Sequence, residues 1–301
     1  MMKAARFSRF GGPEVLEIVD LPEPHPGPGE VRIAVHAAGV NPSDWKKRQG
    51  LMDQQLPQTM GHEAAGVVDE LGEGVADVAV GDRVFGFSAE EGAQAELVVL
   101  SSYAPIPPSV DFPGAAVLPA AIETATRALD QLAVVAGSTL LINGASGSVG
   151  SAAVQLAVQR GARVIGTASP ANHEYLRSLG AEPVAYGEGL VERVRALAPG
   201  GVDTALDVAG SGVLAELIEL AGAPEHVVTI ADFAGAREHG VMFSRGGAGR
   251  AVHALAEIGE LIESGRFSLP VVQTFPLTEI AQAHRVSEAG HVRGKLVLLV
   301  N

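Results

Sequence analysis

Gly147 and Gly150 lie in the stretch Ser138–Gly150, STLLINGASGSVG, at a spacing suited to holding a pyrophosphate. Leu140, Leu141 and Ile142 form a short apolar run that fits a parallel strand covered on both faces, and the run stops at Asn143-Gly144. The turn that follows reads Ala145-Ser146-Gly147-Ser148-Val149-Gly150, a GxGxxG fingerprint with alanine in the first place. Lacking a Cβ, Gly147 lets the backbone approach a phosphate. Gly150 lets the next helix pack close to the strand, while the first N–H groups of that helix face the anion. A glycine turn alone carries little weight. Here an amphipathic helix, Val149–Gln159, follows it, and a second strand-like run, Arg163–Thr167, comes where a βαβ unit requires one.

The end of that second strand bears on cofactor choice. NAD-selective sites place an acid about 20 residues past the glycines, to accept the ribose hydroxyls. This chain has Thr167-Ala168-Ser169-Pro170 there. No carboxylate repels a 2′-phosphate, and Ser169, Asn172 and His173 are able to donate to it, so NADPH is the cofactor expected. Ala209 and Ala231 follow two further apolar runs, at strand ends that face the same ligand.

The elements that must position these residues follow from composition and pattern. With 301 residues, 47% hydrophobic and 19% charged, the chain is long enough for two packed domains. A net charge of -14 with no lysine/arginine block argues against nucleic acid or an anionic membrane surface as partner. The absence of cysteine excludes disulfides, a thiolate nucleophile and cysteine-ligated zinc or iron–sulfur centres. The N-terminus has no apolar core with a cleavage site, so the expected location is the cytoplasm. The uncharged stretch Gln131–Gln159 has a membrane span's length, but Asn143 and its serines and glycines make a buried βα unit the better reading.

The first third shows short alternating runs, such as Val31–Val35 and Glu96–Leu100, between turn-rich segments, which reads as antiparallel strands. From about Ala120, strands at Pro183–Tyr186, Thr204–Val208 and Val227–Ile230 alternate with helix-length segments at Ala171–Leu179, Leu190–Leu197, Val213–Leu220 and Arg250–Glu263. That is the rhythm of a doubly wound parallel sheet. Strand-like runs return at Val271–Phe275 and Gly294–Val300, which would bring the C-terminus back to the β-rich domain.

Seven segments in order, FGGPEVLEI, AAGVNPSDWKKRQG, MGHEAAGVVDELGEGV, VGDRVFGF, LPAAIETATRAL, GASGSVGSAAVQLA and GHVRGKLVLLV, resemble the medium-chain dehydrogenase/reductase superfamily. The resemblance is to its zinc-free quinone oxidoreductase branch, the zeta-crystallin-like proteins. It implies an α/β fold: a GroES-like antiparallel β domain over residues 1–121, completed by 265–301, and a Rossmann doubly wound parallel-sheet domain over 122–264.

It also implies roles. Asn41 would hydrogen-bond the substrate oxygen, stabilising enolate-like charge. Asp44 on the same loop would share in the chemistry or simply cap the loop. Thr124 would touch the nicotinamide, and Tyr186 and Lys295 would line the cofactor. Trp45, with Lys46, would face a flat substrate, although burial as an apolar anchor is the commoner fate of a lone tryptophan. His62 and Glu63 look like half of a metal site, but the soft ligand of the zinc enzymes is missing and Asn41 stands in that neighbourhood, so no metal is expected. Tyr103 and His36 are the nearest candidate proton donors. Both read better as structural, which leaves water to supply the proton.

The expected function is NADPH-dependent reduction of a quinone or α,β-unsaturated carbonyl by direct hydride transfer, in a homodimer. The alternatives are a zinc-independent alcohol or carbonyl dehydrogenase and a low-turnover NADPH-binding regulatory protein.

Overall fold

The computed structural model describes residues 1–247, 249–290 and 293–300; His291 and Val292 of the closing GHVRGKLVLLV segment lie outside the described residues. The first strands are β1 (Met2–Phe7), β2 (Glu17–Leu21), β3 (Val31–Val40), β4 (Gln58–Thr59), β5 (Glu63–Leu71), β6 (Arg83–Ser88) and β7 (Leu97–Pro105). Next come β8 (Thr139–Asn143), β9 (Arg163–Thr167), β10 (Glu182–Val184), β11 (Thr204–Asp207), β12 (Val227–Thr229) and β13 (Met242–Phe243), followed by β14 (Val271–Pro276) and β15 (Lys295–Leu299). Contacts group Met1–Ala120, Leu255–Gly265 and Leu269–Asn301 in one unit, and Ala121–Ala254 with Arg266–Ser268 in another.

In the first unit the strand order is β14-β15-β3-β5-β6-β7, and β3 also pairs with β7, so β3, β5, β6 and β7 close into a ring. The ring pairings are antiparallel, as is β15 with β3, whereas β14 lies parallel to β15. Along β3, Val31, Ile33 and Val35 alternate with half-buried neighbours and pack with Val68, Val84, Val98 and Leu100. Closure of the ring leaves these four strands with no long free edge.

In the second unit the order is β10-β9-β8-β11-β12-β13 with every pair parallel. Counted from β8, this is the 3-2-1-4-5-6 order of a Rossmann sheet. Leu141, Ile165, Ala205 and Val227 from its central strands are buried with Val194, Leu214 and Leu217 of the covering helices. Each fully buried leucine contributes about 1.5–3 kcal/mol, which is why these strands read as continuous apolar runs.

Two elements differ from the sequence reading. The strand expected over Pro183–Tyr186 ends at Val184, because Gly187 turns the chain with φ 88°, and Tyr186 is left 57% exposed. The helix expected from Arg250 begins at Ala254, and Leu255–Gly265 groups with the first unit rather than with the Rossmann unit. There the Glu263 carboxylate accepts from both the amide and the hydroxyl of Ser109.

Candidate functional site

Each unit carries its own buried polar cluster. In the Rossmann unit, β8 ends in the glycine turn and Gly147 starts the helix Ser148–Gln159 with no side chain capping its first amides. A Cβ on Gly150 would lie 2.3 Å from the Gly144 oxygen, so the helix packs against the turn at a distance only glycine permits. A Cβ on Gly147 would meet nothing closer than the same oxygen at 3.6 Å, an ordinary contact. The fold's own packing therefore explains Gly150 but not Gly147.

At the end of β9, Asn172 Nδ2 donates to Ser146 Oγ and Ser169 Oγ, both at 3.3 Å, which brings two of the expected 2′-phosphate donors, Ser169 and Asn172, together beside Ser146 of the glycine turn. His173 instead directs Nε2 to the Ala168 carbonyl, 3.3 Å away. Tyr186 lies beyond the end of β10.

Four residues that the sequence reading had not combined sit under these turns. Asn143, Thr167, Asp207 and Thr229, all 0–2% exposed, close β8, β9, β11 and β12. Their signal is visible once the strands are aligned: LLIN, VIGT, ALD and VVT are apolar runs that each finish on a polar residue.

In the first unit, Asn41 leads the helix Pro42–Arg48, and its amide donates to Asp44 Oδ2 at 2.8 Å, so Asp44 acts as the cap of its own loop. Gln94 Nε2 donates to the same oxygen at 3.1 Å and to the Gly39 carbonyl at 3.0 Å. Asp44 is 1% exposed. Burial pushes its carboxyl above the usual range, against the opposing pull of His62 and the Asn41 amide.

Glu63 is fully buried and receives Asn41 Nδ2 at 2.7 Å, the Ala120 amide at 2.7 Å and the Lys295 ammonium. Burial alone would raise this carboxyl, but Lys295, His62 and the Ala120 amide together hold it below its ordinary range. Gly39 makes room for it, since a Cβ there would sit 2.2 Å from Glu63 Oε1. Lys295, expected along the cofactor, is thus 4% exposed and committed to Glu63.

His62 is partly exposed, with Nδ1 3.8 Å from Asp44 Oδ1, Nε2 3.5 Å from Asn41 Nδ2 and its ring stacked on Phe87. Among the described residues no three His, Cys, Asp or Glu side chains converge as a metal-binding group.

The remaining expected residues are separate. Trp45 is partly buried with the Lys46 ammonium 5.7 Å from its ring. Thr124 donates to Glu123, beside a buried ion pair in which Arg127 Nε reaches Glu123 Oε1 at 2.8 Å. His36 stacks on Phe112 and Tyr103 donates to Asp77, so both are engaged away from the Asn41 cluster.

The fold and this turn define a two-part chain: a GroES-like β ring followed by a Rossmann sheet of the kind that holds dinucleotides. Residues 27–108 match the alcohol dehydrogenase GroES-like domain, and residues 179–298 match the zinc-binding dehydrogenase family. The Pseudomonas aeruginosa quinone oxidoreductase is 34% identical over 99% of this chain and 100% of its own length. The Coxiella burnetii quinone oxidoreductase structure has a TM-score of 0.87 at 34% identity, covering 100% of this chain and 99% of that one. A mycobacterial structure complexed with NADPH has a TM-score of 0.88 at 29% identity, covering 99% of this chain and 100% of that one. The match spans 53% of the rat quinone oxidoreductase and 14% of the Streptomyces orinoci polyketide synthase protein NorB. The chain belongs to the quinone oxidoreductase family of the medium-chain dehydrogenase/reductases.

Proposed function

We propose that this protein is an NADPH-dependent reductase of quinones or α,β-unsaturated carbonyls, working by direct hydride transfer without zinc. The observation that carries the reading is Gly147: its missing side chain serves no internal contact, and it opens a helix whose first amides lack a side-chain cap. Close approach of a pyrophosphate explains both. Ser146, Ser169 and Asn172 cluster where a 2′-phosphate would lie, with no carboxylate in the Thr167–Pro170 segment. The mycobacterial neighbour complexed with NADPH supports the same choice.

The bound cofactor would supply the hydride. Asn41 would orient the substrate: one Nδ2 hydrogen is held by Glu63 at 2.7 Å, while the contact with His62 at 3.5 Å is too long to hold the other firmly. That second hydrogen is the donor we assign to the substrate oxygen as negative charge builds on it. Glu63, Lys295 and Asp44 keep the amide in place, and water returns the proton.

Zinc does not fit this donor set. The chain has no cysteine, Asn41 offers a neutral amide, and both Glu63 oxygens are already taken by Asn41, Lys295 and Ala120. The Thr124 and Trp45–Lys46 assignments, the cytoplasmic location and the homodimer belong to the same reading. No helix among the described residues is long and apolar enough to cross a membrane.

The test is NADPH consumption with a panel of quinones and enones in the presence of a chelator. Turnover with NADPH exceeding that with NADH, unchanged by chelation, is the expected outcome. Nucleotide binding with no consumption across the panel would instead favour a silent binder.

A further inference from the structure

The polar ends of the four central parallel strands form one continuous hydrogen-bonded row. Thr167 Oγ1 accepts from the Gly144 amide at 3.0 Å and donates to Asn143 Oδ1 at 2.8 Å. Asn143 Nδ2 donates onward to Asp207 Oδ1 at 2.9 Å. The same Asp207 oxygen accepts the amides of Ala209 at 3.1 Å and Gly210 at 2.9 Å. Asp207 Oδ2 accepts the Thr229 hydroxyl at 2.7 Å, and Thr229 Oγ1 in turn accepts the amides of Ala231 and Asp232, both at 3.1 Å. Asp207 is fully buried, and these bonds reach it only from neutral donors.

The turns fixed by this row also touch. A Cβ on Gly144 would stand 2.9 Å from the Ala209 Cβ, and one on Gly210 would stand 2.9 Å from the Ala231 Cβ. Gly144 and Gly210 hold φ of 84° and 67°, a region open to glycine, the residue with the most conformational freedom to lose on ordering.

We propose that Asp207 is the positioning residue that sets dinucleotide affinity, without touching the ligand. Its carboxylate joins the Gly144, Ala209–Gly210 and Ala231–Asp232 turns into one preorganised surface, so the ligand need not order them on binding. The proposal rests on the reading that the glycine turn binds a dinucleotide.

Asparagine at this position is a discriminating probe. It keeps the shape, and its oxygen still accepts Asn143, Ala209 and Gly210, but its Nδ2 would donate toward Thr229 Oγ1, which already accepts two amides. The Thr229 arm alone is released.

The experiment uses the full chain, with calorimetric titration of NADPH and amide hydrogen exchange of the nucleotide-free protein. Asp207→Asn and Thr229→Val should each weaken NADPH about tenfold, the loss of about one hydrogen bond's worth of ordering, and speed exchange at Ala231 and Asp232. Thr229→Ser should stay within about twofold of wild type, since it keeps the hydroxyl. The double variant Asp207→Asn/Thr229→Val should bind no worse than either single one, because both cut the same link.

Should Asp207→Asn fail to fold, the Thr229 pair decides the matter. Folded variants that bind NADPH like wild type, or Thr229→Ser losing as much as Thr229→Val, would overturn the proposal while leaving the cofactor reading intact. A wild-type chain that binds neither NADPH nor NADH would overturn the cofactor reading itself.

Discussion

The two buried polar clusters are built on opposite principles. The cluster around Glu63 sets charge against charge, with a buried carboxylate on a buried ammonium, and holds a second buried carboxyl group, Asp44, on the neighbouring loop. The row around Asp207 satisfies a single carboxylate with neutral amides and hydroxyls. The first must answer to charge removal and pH, because desolvated charges are stable only while paired. The second must answer to hydrogen-bond geometry, since any isosteric group that reverses one polarity breaks it.

The largest expected effect therefore lies in the charged cluster. Lys295→Met leaves Glu63 buried without its cation and should lower stability by about 3–5 kcal/mol in denaturant titrations, with Lys295→Met/Glu63→Gln recovering most of the loss. A loss within experimental scatter would mean the ion pair is not what holds this cluster.

Acid should single out the same unit. His284 is fully buried, and burial, aided by Arg48, lowers its pKa to about 3 from 6.5. The unfolded chain takes up that proton below pH 6.5 while the folded chain refuses it, so this stability is complete above pH 6.5 and drains as pH falls. By pH 4.5 the loss is about 3 kcal/mol, and His284→Leu should abolish that part of the pH dependence. Equal acid sensitivity in wild type and variant would count against it.

Cofactor selectivity tests the Rossmann side. Ser169→Asp places a carboxylate at the end of β9 and should weaken NADPH relative to NADH by about 1–3 kcal/mol. An unchanged ratio of dissociation constants would put the phosphate elsewhere.

The smallest effect is one of sign. Asp44 has a raised carboxyl pKa, so its ionisation above the ordinary 3.8 costs the folded state and stability falls as pH rises through that window. Glu63 is lowered, so its contribution is present above the ordinary 4.5 and is lost as pH falls below it. Asp44→Asn should remove the downward slope, and Glu63→Gln the upward one. Matching slopes in both variants would erase the distinction.

What could be read in the sequence was local. Arg163–Thr167 forms β9 over the residues expected, because an apolar β-branched run after a helix leaves few alternatives. Gly150 follows from the turn pattern in the same way, as does the parallel sheet from its alternation with helices. The Glu63–Lys295 pair was not legible, because strands far apart in sequence meet only when β15 pairs with β3 and β3 with β5. The resemblance had put Lys295 along the cofactor, and only these strand pairings bring it to Glu63. The Asp207 row was half legible: each polar strand end is visible, but their union depends on a strand order that places β8 between β9 and β11.

The most direct measurement of the central claim follows the hydride itself. NADPH carrying deuterium on the transferred face of C4 is incubated with the protein and an α,β-unsaturated ketone, and the product is examined by mass spectrometry and NMR. A saturated ketone bearing one deuterium at the β-carbon is the expected result. Product without the label, or label on a carbinol carbon with the double bond intact, would contradict it.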